Sequence, residues 1–128
     1  MKTAVTIGHW LVRLTGLIQI ILGILFWTGN ARFLVQLHML VGLVLVLALW
    51  MLALLAARVG VPLSLVTIAL AWGLITLILG IIQARLWPGS MHWIIQVLHL
   101  LVGLGAIGLG EQIATRIKRT QQRLPQNA

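Results

Sequence analysis

The chain has no cysteine, no tyrosine and, in 128 residues, a single acidic side chain, Glu111. Without cysteine there are no disulfides, no thiolate chemistry, no thioether-attached haem and no cysteine-ligated iron–sulfur cluster. One carboxylate is too few for a di-iron carboxylate centre and leaves a zinc site short of ligands. Charged residues make up only 8% of the chain, against 61% hydrophobic residues and a mean hydropathy of +1.11. That composition lies outside the globular range and inside the membrane class.

What is abundant is apolar helix-forming sequence. Crossing the hydrocarbon takes about 20 apolar residues in a helix, and four runs qualify: 5–27, 33–57, 61–84 and 91–109. They predict an all-α, integral membrane four-helix bundle over 1–110, followed by a basic cytoplasmic tail over 111–128. The first run is too long for a removable signal peptide and lacks a small-residue cleavage site. Short links near residues 28–32, 58–60 and 86–90 force sequential antiparallel neighbours, hence an up-down-up-down bundle. Past Glu111 the expectation is a frayed helical extension along the headgroups, ending in disorder.

The net charge of +8 does not form a patch on a soluble surface. The basic residues stand between and beyond the spans, so nucleic acid is not an expected partner and the charge is read as topology. With a cytoplasmic N-terminus, Lys2, Arg13, Arg58, Arg116, Lys118, Arg119 and Arg123 fall inside, and only Arg32 and Arg85 fall outside. This is the positive-inside bias, and it predicts a multi-pass cell-membrane protein with both termini cytoplasmic. Arg13 is read as snorkelling to the headgroups and His9 as a solvated interfacial residue.

One string occurs twice. Val35-Gln36-Leu37-His38-Met39-Leu40-Val41-Gly42 and Gln96-Val97-Leu98-His99-Leu100-Leu101-Val102-Gly103 share a His-x-x-x-Gly inside apolar helix. The first and third spans match as well, with Gly16 and Gly23 corresponding to Gly73 and Gly80. Each half reads as a helical hairpin, and two hairpins starting on the same side are parallel repeats. In such a bundle the second and fourth helices lie diagonally opposed.

A histidine within a span is costly to bury and is a functional candidate by default. His38 and His99 fall roughly 9 to 14 Å below the outer boundary at 1.5 Å per residue, level enough to face each other. Two neutral imidazoles on opposite helices leave four in-plane positions, which a porphyrin fills and a bare metal would need more protein ligands to fill. The expected cofactor is therefore one haem b ligated by His38 and His99. A chlorophyll-type pigment ligated by single histidines is the alternative. Gly42 and Gly103, one turn from each histidine, and Gly23 and Gly80 on the other helices would clear room for the macrocycle. Small-residue stripes also serve plain helix packing. Arg32, Arg85 and His92 are candidate propionate partners, and Gln96 is a candidate for orienting a ligand. His9 has Val66 as its repeat counterpart, so a second haem lacks ligands.

Histidines on the second and fourth helices of a four-helix bundle, both near the outer face, resemble one half of the heme A synthase family. The resemblance rests on the hairpin pattern with His38 and His99. It implies a haem-holding bundle. Where that family carries a glutamate four residues before one histidine and an arginine after it, this chain has Leu34 and Met39, so the likeness does not extend to the family's hydroxylation.

The expected function is a membrane b-type cytochrome carrying electrons, alone or as a subunit of a respiratory or photosynthetic complex. With both axial positions filled the iron has no open site for oxygen chemistry, so an electron carrier is expected more than an enzyme. A quinol or a redox protein would be the partner. The rival readings are a non-redox or pigment-binding small transmembrane subunit, and a small transporter, for which the spans lack charged residues and broken helices.

Overall fold

The computed structural model describes residues 1–123, and the end of the expected tail, 124–128, lies outside the described residues, as does the side chain of Arg123. Four helices account for nearly all of it: α1 (Lys2–Trp27), α2 (Val35–Arg58), α3 (Leu63–Ile82) and α4 (His92–Arg123). Each is long and apolar enough to cross a membrane, and no strand occurs among the described residues.

The helix ends follow from backbone chemistry. In α1 the chain turns at Gly29 (φ 80°), where the Asn30 N–H donates to Leu25 O and the Gly29 N–H to Phe26 O. In α2 it turns at Gly60 (φ 80°), where the Val61 N–H donates to Ala56 O and the Gly60 N–H to Ala57 O. Both patterns satisfy the last carbonyls through a left-handed residue that only glycine adopts without cost. Pro62 then starts α3 from the capping position, one residue before Leu63. Short 3-10 turns at Arg32–Leu34 and Gln83–Arg85 flank the other two links.

Each helix packs on its sequence neighbours, α1 also packs on α4, and α2 touches α4 directly across the middle. Between apolar helices in lipid, burial adds little, because the hydrocarbon is as apolar as leucine; close van der Waals packing holds them instead. Glycines allow that approach. A Cβ on Gly16 would stand 2.7 Å from Ile107 Cδ1, and one on Gly73 would stand 3.1 Å from Val46 Cγ1. Two tryptophans key into the same kind of gap. Trp50 lies over Gly73 and donates its indole N–H to Leu70 O at 3.1 Å; Trp72 lies over Gly105 and donates to Val102 O at 2.8 Å.

The packing is unequal along the bundle. Leu49, Leu52, Val12, Ile113 and Ile117 are fully buried, all in the half that carries the N-terminus and the end of α4. In the opposite half, where the links between α1 and α2 and between α3 and α4 lie, α2 has no buried residue before Leu45. In the same half, α1 has only Leu22 buried after Gly16. We call these the terminal end and the paired-loop end.

One expectation fails here. Hydropathy ends the fourth span at residue 109, but α4 runs unbroken to Arg123, and Ile113, Ala114 and Ile117 are wholly buried against the core. The described part of 111–128 is therefore a packed final stretch of the bundle, not a frayed extension. Basic residues on its outward side had masked a buried stripe at helical spacing.

Candidate cofactor site

His38 is four residues into α2 and His99 eight into α4, and the diagonal contact of these helices brings the rings together at the paired-loop end. Their centroids are 6.2 Å apart with planes at 56°. Phe26, from the last turn of α1, stands edge-on to His38 at 5.3 Å and 71°. Both histidines are half-buried, and Nδ1 of each is sealed from solvent without a hydrogen-bond partner among the described residues. A buried polar group left unpaired costs about 1–3 kcal/mol. A purely structural histidine in a span would hydrogen-bond across helices; neither of these does so within residues 1–123.

The separation has a chemical meaning. Metal–imidazole bonds of about 2.0–2.1 Å in a straight line put two ring centroids roughly 6 Å apart. The rings stand at that spacing. Among the described residues no group of three or more His, Cys, Asp or Glu side chains could hold a bare ion, so two imidazoles are all the protein supplies here.

The glycines divide. Cβ positions on Gly23 and Gly103 have no atom within 4 Å, and one on Gly80 would lie 3.5 Å from His99 Cε1, so Gly80 faces that ring. Gly42 instead makes room for the amide of Gln19 from α1, whose Oε1 is buried and unpartnered among the described residues. Gln19 is thus placed one turn from His38 on the neighbouring helix, and Phe26 edges the ring; sequence reasoning assigned neither to the site. The available signal was an amide in the middle of an apolar span, facing a helix with glycine at the matching depth.

Of the other expected residues, Arg32 and Arg85 are exposed in the two 3-10 turns at this end. The chain's one acidic side chain, Glu111, lies at the other end, so no described acidic group pairs with them. His92 Nδ1 is 3.1 Å from Leu86 O. A carbonyl only accepts, so the proton is on Nδ1 and neutral His92 has a lone pair, not a donor, at Nε2. In that state it does not suit a propionate. Gln96 makes no side-chain hydrogen bond to His99 among the described residues, and the Gln19 amide lies against Gly42, one turn from His38.

The terminal end holds a polar cluster. Arg13 grips Glu111 with two hydrogen bonds, Nε to Oε1 at 2.7 Å and Nη2 to Oε2 at 2.8 Å. His9 Nε2 is 2.9 Å from Glu111 Oε2, off the line of a well-directed hydrogen bond, and Lys118 Nζ is 2.8 Å from His9 Nδ1. Since an ammonium only donates, Nδ1 carries the lone pair and the proton of the neutral ring is on Nε2, close to the carboxylate but not aligned with it. The expectation of a solvated His9 is overturned: it is 8% exposed and enclosed between α1 and α4. Arg13 likewise spends its guanidinium on Glu111, with its carbon over Trp10 at 5.7 Å from the ring centroid. The contacts join residues about a hundred positions apart, and no local pattern announces them.

In comparison with known proteins, the chain matches no family model, no curated protein and no solved structure.

Proposed function

We propose that the protein is a membrane b-type cytochrome that holds one haem between His38 and His99 and carries electrons, alone or within a larger respiratory or photosynthetic complex. The observation that carries this is the facing pair: two half-buried imidazoles 6.2 Å apart, on helices that meet diagonally, with buried nitrogens that no protein group satisfies. The donor set fits. Two neutral imidazoles would suit a porphyrin iron, and Gly23 and Gly103 put no side chain in its way, since a Cβ on either meets no atom within 4 Å. When bound, the haem supplies one-electron redox chemistry. His38 and His99 would hold it, Phe26 packs edge-on against the His38 ring, and Arg32 and Arg85 would offer cationic partners for its carboxylates at the headgroup level. A quinol or a redox protein supplies and removes the electron.

The bundle is proposed to run up-down-up-down with both termini cytoplasmic, which puts the haem in the outer half of the membrane. Related contacts support two parallel repeats: Gly16 of α1 against Ile107 of α4 corresponds, under the pairing of His38 with His99 and Gly16 with Gly73, to Gly73 of α3 against Val46 of α2.

The test is optical. The purified protein should give a reduced-minus-oxidised b-type band that is lost in His38→Ala and His99→Ala and kept in His9→Ala. A protein without that band, or one that keeps it in the His99 variant, refutes the assignment; near-infrared absorption would mark a chlorophyll-type pigment instead.

A further inference from the structure

A cavity of about 450 Å³ opens between the first turns of α1 and the last turns of α4, lined by Lys2, Val5, Thr6, Lys118, Gln121 and Gln122. Its chemistry has one sign. Two lysines and two amides line it, and no acidic side chain does among the described residues, because Glu111 is engaged by Arg13 and lies beside His9. Lys118 Nζ spends one N–H on His9 and keeps two. The Gln121 amide nitrogen is buried with no partner among the described residues. An unpaired buried donor beside two ammonium groups calls for an anion with several acceptor oxygens, as a phosphate has.

A second concavity fixes the source of that phosphate. A groove of about 430 Å³ runs along α1 over Thr6, Ile7, Trp10, Leu11, Leu14 and Leu17, and Thr6 lines both spaces. Thr6, Trp10 and Leu17 share one face of the helix, so the groove leads from the cationic cavity along the apolar side. Arg13 at its edge is neutralised by Glu111. A polar cavity continued by an apolar surface groove on α1 matches a charged headgroup with its acyl chain. Free phosphate would use the first space only.

We infer that the terminal end binds one anionic phospholipid, its phosphate among Lys2, Lys118 and Gln121 and an acyl chain along the α1 groove. The site would join the first turns of α1 and the last described turns of α4 to the membrane surface, and it draws on Lys118, which also holds His9. It does not depend on what His38 and His99 ligate.

Native mass spectrometry of the detergent-solubilised protein tests this with three probes: dioleoyl phosphatidylglycerol, dioleoyl phosphatidylcholine and inorganic phosphate. One phosphatidylglycerol should be retained in strong preference to the zwitterionic phosphatidylcholine and should raise the thermal midpoint, while inorganic phosphate at the same concentration does not. Replacing a lysine near the headgroup should weaken retention about fivefold. Lys2→Gln and Lys118→Gln are each expected to show this; Lys2→Gln carries the decision, because its ammonium makes no contact within the cluster that holds His9. Equal retention of both lipids, wild-type retention by Lys2→Gln, or protection by inorganic phosphate equal to that by phosphatidylglycerol would each overturn the inference.

Discussion

The α4 glycines allow one substitution to be given three different outcomes on one helix. A Cβ on Gly110 would stand 2.8 Å from Cγ1 of Val12 and 3.1 Å from Cγ2, against a comfortable carbon–carbon separation of about 3.5–4.0 Å. Val12 is completely buried and β-branched, so it has no alternative rotamer and no free space to move into. Overpacking of this kind costs about 1–3 kcal/mol, and the gain from replacing a helical glycine with alanine is about 0.5–1 kcal/mol. Gly110→Ala should therefore lose up to about 2.5 kcal/mol net, with a central value of about 1 kcal/mol. At Gly108, where no atom lies within 4 Å, the same change has only the favourable contribution and should be neutral or stabilising by about 0.5–1 kcal/mol. At Gly103 the space is also open, so Gly103→Ala should leave the fold intact, but Gly103→Leu, one turn from His99, should lower haem content without lowering apoprotein stability. Reversible unfolding in mixed micelles, read by circular dichroism, gives the stabilities, and the absorption spectrum gives the haem. If Gly110→Ala proves as stable as Gly108→Ala, the close approach of α1 and α4 is not as described and the reasoning fails.

Three further outcomes are expected. Trp72→Phe removes the indole donor to Val102 O and should cost about 0.5–1.5 kcal/mol in the same unfolding assay; Trp93→Phe, at an exposed position, should change it little. Gln19→Leu removes a buried, unpartnered carbonyl oxygen, so the apoprotein should hold or gain up to about 1 kcal/mol, while the haem midpoint potential shifts. Glu111→Gln takes away the one acidic side chain, which faces Arg13 and His9, and should lower the thermal midpoint more than Arg119→Gln does at an exposed α4 position.

Much of the fold was legible because the spans are apolar and their ends are marked by residues with special backbone geometry. Gly29 and Gly60 lie where the chain must turn left-handed, and Gly89 (φ 100°) follows Pro88 in the last link. The histidine pair was legible because a polar ring stands out in an apolar helix and the same string recurs. What stayed hidden depends on which faces meet. Ile113, Ala114 and Ile117 sit among arginines and lysines, so a hydropathy window averages them away although their spacing marks one face. His9 looked interfacial because its partners, Glu111 and Lys118, lie at the far end of the chain. Gln19 was visible as a polar residue, but its position over Gly42 depends on the rotation of α1 about its axis, which periodicity leaves free in a helix apolar on nearly every side.

The uneven packing separates what holds the bundle together from what faces the histidine pair. The fully buried side chains, the Arg13–Glu111 grip and the two indole hydrogen bonds lie in the terminal and middle parts, while α1 and α2 bury little at the paired-loop end. Side chains around His38 and His99 can therefore be exchanged with little loss of the contacts that define the fold.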